Sequence, residues 1–157
     1  LRENMKIPPS HPPSSKTSDG RCKASEGKTQ INQRLICVLG AAGGGRDKWK
    51  RPEFGKIAAE YCDEIILTNE DPYDENPEAI LEEIASGFSK HEARSTKHEK
   101  ILDRREAIKT ALTLAKEGDT VVITGKGSET SMALAGGKKI PWSDKEVVKE
   151  LLQGGGR

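Results

Sequence analysis

The sequence predicts an α/β domain over residues 34–152, with three layers and a mostly parallel sheet between helices. Three observations predict it. Short apolar runs at 35–39 (LICVL), 64–68 (EIILT) and 120–124 (TVVIT) read as strands. Segments with helical spacing alternate with them, at 52–61, 78–88, about 103–116 and 143–152. Each strand run leads directly into a loop rich in glycine or proline and in charge. Alternating strands and helices build a parallel sheet through crossovers, and successive parallel strands deliver their following loops to one edge.

Taken in order, the first strand opens into GAAGGGRDKWKRP (40–52). Its glycines permit positive φ or close backbone approach, and Pro52 suits the first turn of a helix. In the helix at 52–61, Phe54, Ile57, Ala58 and Tyr61 form the expected buried face. The second strand run leads into the acidic loop NEDPYDENP (69–77), then a helix with Ile80, Leu81 and Ile84 inward. Residues 89–99 are polar and read as a surface loop, with a very short strand at 100–102. Asp103 and Glu106 have the spacing of a capping box for the next helix, whose stripe is Ala107, Ile108, Ala111, Leu112 and Ala115. Gly118 ends it. The run at 120–124 is the clearest buried strand, followed at once by GKGSE (125–129). Residues 139–141 suit a small edge strand, and Ser143 with Glu146 caps the last helix.

Composition excludes several classes. Twenty-six basic and 25 acidic residues leave a net charge of +1, which makes no electrostatic case for nucleic acid. Hydrophobic content of 33% and aromatic content of 4% are low for a fully packed chain. Residues 1–33, rich in Pro, Ser, Lys and Gly, account for this as a disordered tail or linker, and 153–157 read as a flexible end. The first residue is Leu1, which suggests a fragment or an incomplete start, with Met5 as an internal start. Gly27-Lys28-Thr29 imitates the end of a P-loop, but Cys22 stands where the leading glycine belongs and no strand precedes it. Cys22, Cys37 and Cys62 make an odd set without a CxxC, so neither a disulfide framework nor a zinc site is indicated. No apolar run of membrane-spanning length and no signal-peptide core occurs. The expected setting is the cytoplasm, with no membrane partner.

The loops offer binding chemistry. Arg46 is the best candidate for gripping a carboxylate, because its planar fork matches two oxygens. Lys48, Lys50 and Arg51 read as surface charges or helix neighbours. Glu70, Asp71 and Glu129, if they meet, would place three carboxylates around one volume that needs a cation, either an ammonium or a metal. His11 is in the tail, and His91 and His98 lie in polar sequence, so no acid–base or nucleophilic machinery is evident. No catalytic residue and no resident metal are assigned. The expectation is a binding surface for a small zwitterion. Gly40, Gly43 and Gly45 resemble a dinucleotide turn only weakly, since the G-x-G-x-x-G spacing is absent.

Five motifs in register carry a family resemblance: GGGRDKWKRP (43–52), EDPYDENP (70–77), DRREAI (103–108), GKGSE (125–129) and WSD (142–144). In order and spacing, from about residue 34 to 152, they resemble the C-terminal domain of the Mur ligases. Within that family they are closest to the branch that adds the third amino acid to the UDP-N-acetylmuramoyl dipeptide of peptidoglycan precursors. The resemblance implies a Rossmann-like fold and an ATP-dependent ligase in which MgATP phosphorylates the acyl group and the amine of the incoming amino acid attacks. ATP and Mg2+ would be held mainly by a central domain, present in cis or in trans. The other partners implied are the amino acid and the UDP-N-acetylmuramoyl peptide. Arg46 matches the arginine that holds the amino acid's carboxylate. Glu70, Asp71 and Tyr73 match the specificity loop, and Gly125 and Glu129 match the pair that contacts the amino acid's far end.

The departures from the pattern shape a further expectation. The diaminopimelate-type loop ends in an arginine that pairs with the second carboxylate, whereas here that position is Tyr73. Asp71 replaces an asparagine, Gly45 an aspartate and Ser128 a histidine. Three acids without an arginine suit a side-chain ammonium, so L-lysine or another diamino acid is expected in preference to diaminopimelate. No UDP-sugar domain or P-loop precedes residue 35, so the chain alone is not expected to hydrolyse ATP or form a bond. The alternative is a non-catalytic binding or interaction module that keeps the fold.

Overall fold

The structure, a computed structural model, describes residues 33–45, 47–88 and 97–154. The expectations for residues 1–32, for Arg46, for His91 and for 155–157 lie outside the described residues. Four strands form one parallel sheet: β1 (Leu35–Leu39), β2 (Glu64–Leu67), β3 (Lys97–Lys100) and β4 (Thr120–Ile123), in the order β3-β2-β1-β4. The helices are α1 (Lys50–Tyr61), α2 (Pro77–Ala85), α3 (Arg104–Leu114) and α4 (Asp144–Gly154). Two short strands, β5 (Ser131–Ala133) and β6 (Lys139–Pro141), pair as an antiparallel hairpin.

The three layers follow from the alternation of side chains along β1. Cys37 and Leu39 point to one face and pack with Ile65, Leu67, Ala58, Ile80 and Ile84, under α1 and α2. Ile36 and Val38 point to the other and pack with Ile66, Ala107, Ile108 and Val147, under α3 and α4. Burying one such isoleucine contributes about 1.5–3 kcal/mol. Exposed ion pairs such as Lys109–Glu106 contribute at most about 1 kcal/mol each, so these two cores hold the sheet in place. Burial and the neighbouring Cys62 thiol push the Cys37 thiol up to about 12, which fits a core residue and not a nucleophile.

Four expectations need correction. The buried face of α1 is not Phe54, Ile57 and Tyr61, which are exposed, but Arg51, Gly55, Ala58 and Ala59. The reason is distance: a Cβ on Gly55 would lie 2.0 Å from the Ile84 carbonyl oxygen, so α1 and α2 approach through that glycine. The run at 120–124 is an edge strand, paired on one side only, with Val122 38% exposed. Residues 97–100 are a strand, not part of a loop. Its Lys-His-Glu-Lys sequence is exposed throughout, as an edge strand allows, and polarity hid it. Finally, β5 lies where no strand was expected. Half of each expected capping box is present: Asp103 Oδ1 accepts from the Glu106 N–H at 2.9 Å and Ser143 Oγ from the Glu146 N–H at 3.4 Å, while the Glu106 and Glu146 carboxylates pair with Lys109 and Lys149. Among the described residues no helix is long and apolar enough to cross a membrane.

Candidate functional site

Because the sheet is parallel, the loops after β1, β2 and β4 leave it at the same edge. Backbone bonds then join them. The Gly43 N–H donates to the Asp71 carbonyl at 2.6 Å, and the Thr68 and Thr124 N–H groups donate to the Leu39 and Val38 carbonyls at 2.9 and 3.0 Å. The expected convergence of three charged loops is therefore present.

Arg51 organises the first two loops. Expected at the surface, it is 1% exposed. Its guanidinium donates to Glu83 at 2.6 Å, to both Glu75 oxygens at 3.1 and 3.2 Å, and to the Ala42 carbonyl at 3.0 Å. Burial works against that charge, but Glu75 and Glu83 outweigh it, and the Arg51 pKa is raised. Glu75 also accepts from Lys48 at 2.9 Å and from the Gly45 N–H at 2.6 Å. With Arg51 the strongest influence, then Lys48 and the Gly45 N–H, the Glu75 carboxyl is held down at about 2. A depressed carboxyl stabilises the fold above its unfolded pKa and loses that contribution as pH falls through its folded one. Acid unfolding of wild type is therefore expected to include a component between the ordinary glutamate range and about 2 that Glu75→Gln removes. Urea midpoints from pH 6 down to pH 2 test it: parallel profiles for the two proteins would contradict it.

The three acids after β2 and β4 are not equivalent. Lys126 is buried, and its ammonium contacts Asp71 at 2.5 Å and Glu129 at 2.6 Å. Desolvation opposes its charge, yet these two carboxylates keep its pKa raised. Asp71 is further fixed by the Ala133 N–H at 2.8 Å. The expected triad of carboxylates awaiting an external cation is thus corrected: the chain supplies one cation itself. Glu70 differs. It lies against Gly125, no described residue donates a hydrogen bond to it, and burial pushes its pKa up against the opposing pull of Arg104 and Lys126.

Arg104 fixes the floor. Its guanidinium meets Asp144 at 2.9 and 2.6 Å and donates to the Asn69 and Thr124 carbonyls at 3.1 and 2.7 Å. Trp142 Nε1 donates to Asp144 at 2.8 Å. The DRREAI and WSD motifs therefore meet as one buried ion pair beneath the loops after β2 and β4.

Two cavities open at this edge. The larger, about 680 Å³, is lined by Gly40, Gly43, Phe54, Glu70 and Gly125 among others. The smaller, about 340 Å³, is lined by Asp71, Lys126, Ser128, Glu129 and Lys139. Tyr73 borders both. Its φ of +50 is uncommon for a bulky residue, and its ring lies over Gly44. Glu70, Asp71, Tyr73, Gly125 and Glu129 are thus brought together. His98 is elsewhere, in β3 with its ring on Phe88 at 4.6 Å. Sequence reasoning missed Arg51, Glu75, Lys126, Arg104 and Asp144 as parts of the site's frame. For all five the signal available was their place inside motifs already quoted.

Residues 22–127 match the model of a family described as Mur ligase, glutamate ligase domain. A UDP-N-acetylmuramoyl-L-alanyl-D-glutamate–2,6-diaminopimelate ligase of Aquifex aeolicus is 49% identical over 137 residues, which are 85% of this chain and 25% of that protein. The enzyme of the same name from Syntrophomonas wolfei is 46% identical over 122 residues, 78% of this chain and 24% of that protein. A solved structure of a ligase with that name superposes with a TM-score of 0.70 at 33% identity, covering 77% of this chain and 24% of its own. The chain spans about a quarter of the length of the curated relatives it matches.

Proposed function

The chain belongs to the Mur ligase family, and from that premise we propose that it is the amino-acid-binding part of an ATP-dependent ligase that extends UDP-N-acetylmuramoyl-L-alanyl-D-glutamate by a diamino acid. The observation that carries the reading is Glu70, a half-buried carboxylate with no described hydrogen-bond donor, facing the larger cavity beside Gly125. A carboxylate so placed suits an incoming ammonium. Arg46, next to the glycine turn, is assigned the amino acid's carboxylate, and Asp71, Tyr73, Gly125 and Glu129 the rest of its length. The preference for L-lysine is replaced here by 2,6-diaminopimelate. That preference rested on three unpaired acids, and Lys126 already pairs with two of them; the relatives' names point the same way.

In such a ligase ATP with Mg2+ activates the acyl group as its phosphate. Among the described residues no three His, Cys, Asp or Glu side chains group to hold a metal ion. This chain, whose two cavities are lined by Glu70, Asp71 and Glu129, is assigned the amino acid, and a central domain, in cis or in trans, the nucleotide and the UDP-linked peptide.

The test is titration of the isotope-labelled 157-residue chain with meso-diaminopimelate, followed by NMR. Saturable shifts around residues 40–45 and 69–75 are expected, weakened at least about tenfold in Glu70→Gln, since a charged hydrogen bond contributes about 1.5–3 kcal/mol. Because the Glu70 pKa is raised, binding should weaken with falling pH already above the ordinary glutamate range. No shifts with diaminopimelate or lysine, or binding indifferent to Glu70→Gln, would overturn the reading.

A further inference from the structure

We propose that Lys139, on the β5–β6 hairpin, binds the far carboxylate of the amino acid, supplying from a different element the positive charge that Tyr73 cannot. The inference rests on the function proposed above and adds a specificity residue to it.

The argument starts from what 2,6-diaminopimelate requires. Each end of that molecule carries an ammonium and a carboxylate on one carbon. A site for the far end therefore needs an anion and a cation facing one small volume. L-Lysine has only an ammonium there.

The smaller cavity meets the requirement. Glu129 and Lys139 both line it, with Tyr73 at its border. Lys126 cannot serve as the cation: its side chain is 2% exposed and committed to Asp71 and Glu129. Glu129 is half exposed, so its carboxylate has room for a second partner. Lys139 is exposed, and no described carboxylate forms an ion pair with its ammonium. Asp71 and Glu129 against Lys126 and Lys139 leave the cavity neutral, as a zwitterionic head requires.

The hairpin is held in place for this role. Lys139 is the cross-strand partner of Ala133, whose N–H holds Asp71 at 2.8 Å. At the hairpin's turn the Gly136 N–H donates to Asp74 at 2.8 Å. Two bonds therefore dock β5 and β6 on the same loop that carries Glu70, Asp71 and Tyr73. A lysine on that hairpin is fixed relative to the loop, not simply a charge on a free surface.

The experiment is the same titration with Lys139→Gln and Lys139→Arg, using meso-diaminopimelate and L-lysine in parallel. Lys139 is exposed, so the variants keep the fold, and their amide spectra verify it. Loss of one partly exposed charge pair should weaken diaminopimelate about five- to tenfold in Lys139→Gln. L-Lysine should stay within about twofold, and Lys139→Arg should recover most of the loss. Equal affinity of wild type and Lys139→Gln for diaminopimelate overturns this inference and leaves the proposed function standing. So does equal weakening of both amino acids. No diaminopimelate binding by wild type removes both together.

Discussion

Arg104→Ala is expected to destabilise the domain by about 3–5 kcal/mol, the cost of breaking a buried ion pair by removing one partner. The Arg104 and Asp144 side chains are 1% and 9% exposed. The pair is bidentate, and the same guanidinium also satisfies the Asn69 and Thr124 carbonyls. Truncation leaves Asp144 with the Trp142 N–H as its remaining side-chain donor, a buried charge short of a counterion. It also releases two loops of the site from α3 and α4 at once. Arg104→Lys should not rescue, because a point ammonium cannot reproduce a fork that serves two oxygens and two carbonyls. The neighbouring Arg105–Glu150 pair is the control: its side chains are 45% and 60% exposed, and Arg105→Ala should cost under about 1 kcal/mol. Urea unfolding of the three variants decides the matter. A loss below about 1 kcal/mol for Arg104→Ala would mean that the buried pair does not hold the loops.

Why Arg104 went unread shows what this sequence withholds. The DRREAI and WSD segments were visible, and so was the capping role of Asp103, because a cap is local: the acceptor is three residues from its donor. The Arg104–Asp144 bond joins residues 40 apart, and Lys126–Asp71 joins residues 55 apart. Nothing in either segment announces its partner. The same limit explains the lysine expectation. Glu70, Asp71 and Glu129 count as three free acids in the sequence, whereas Lys126, inside the quoted GKGSE, turns inward between two of them.

The elements divide in a similar way. β1 and β2 were legible because both faces of each strand are buried, which leaves an unbroken apolar run. The two edge strands broke that rule in opposite senses. β4 is apolar at the edge, and β3 is polar yet paired. In α1 the period was right and the face was wrong. Hydrophobic spacing locates the side chains that could pack, but α2 comes so close at Gly55 that the helix turns Arg51, Gly55, Ala58 and Ala59 inward instead. Convergence of the loops was legible from topology alone, since it needs only that the strands be parallel.

Gly43→Ala is expected to weaken amino-acid binding at least about tenfold while leaving the sheet intact. A Cβ on Gly43 would stand 2.0 Å from the Pro72 carbonyl oxygen and 2.7 Å from its carbon. These are backbone atoms, so no side chain can rotate away. The loops after β1 and β2 would have to separate, breaking the 2.6 Å bond from the Gly43 N–H to Asp71. Strain of this kind costs about 1–3 kcal/mol, a loss that the two cores of the sheet can absorb. The site cannot absorb the displacement. Pro72 lies between Asp71, which holds Lys126, and Tyr73, which borders both cavities, so a shift there moves Glu70, Asp71 and Tyr73 together. Gly127→Ala is the matched control, because a Cβ there meets nothing within 4 Å, and its stability should stay within about 0.5 kcal/mol of wild type. Diaminopimelate titration of the two alanine variants, with thermal unfolding alongside, separates the effects. Wild-type affinity in Gly43→Ala would show that the close approach of the two loops is not what shapes the site. A cooperative unfolding transition combined with at least about a tenfold loss of affinity, or 1.4 kcal/mol, would show that it is.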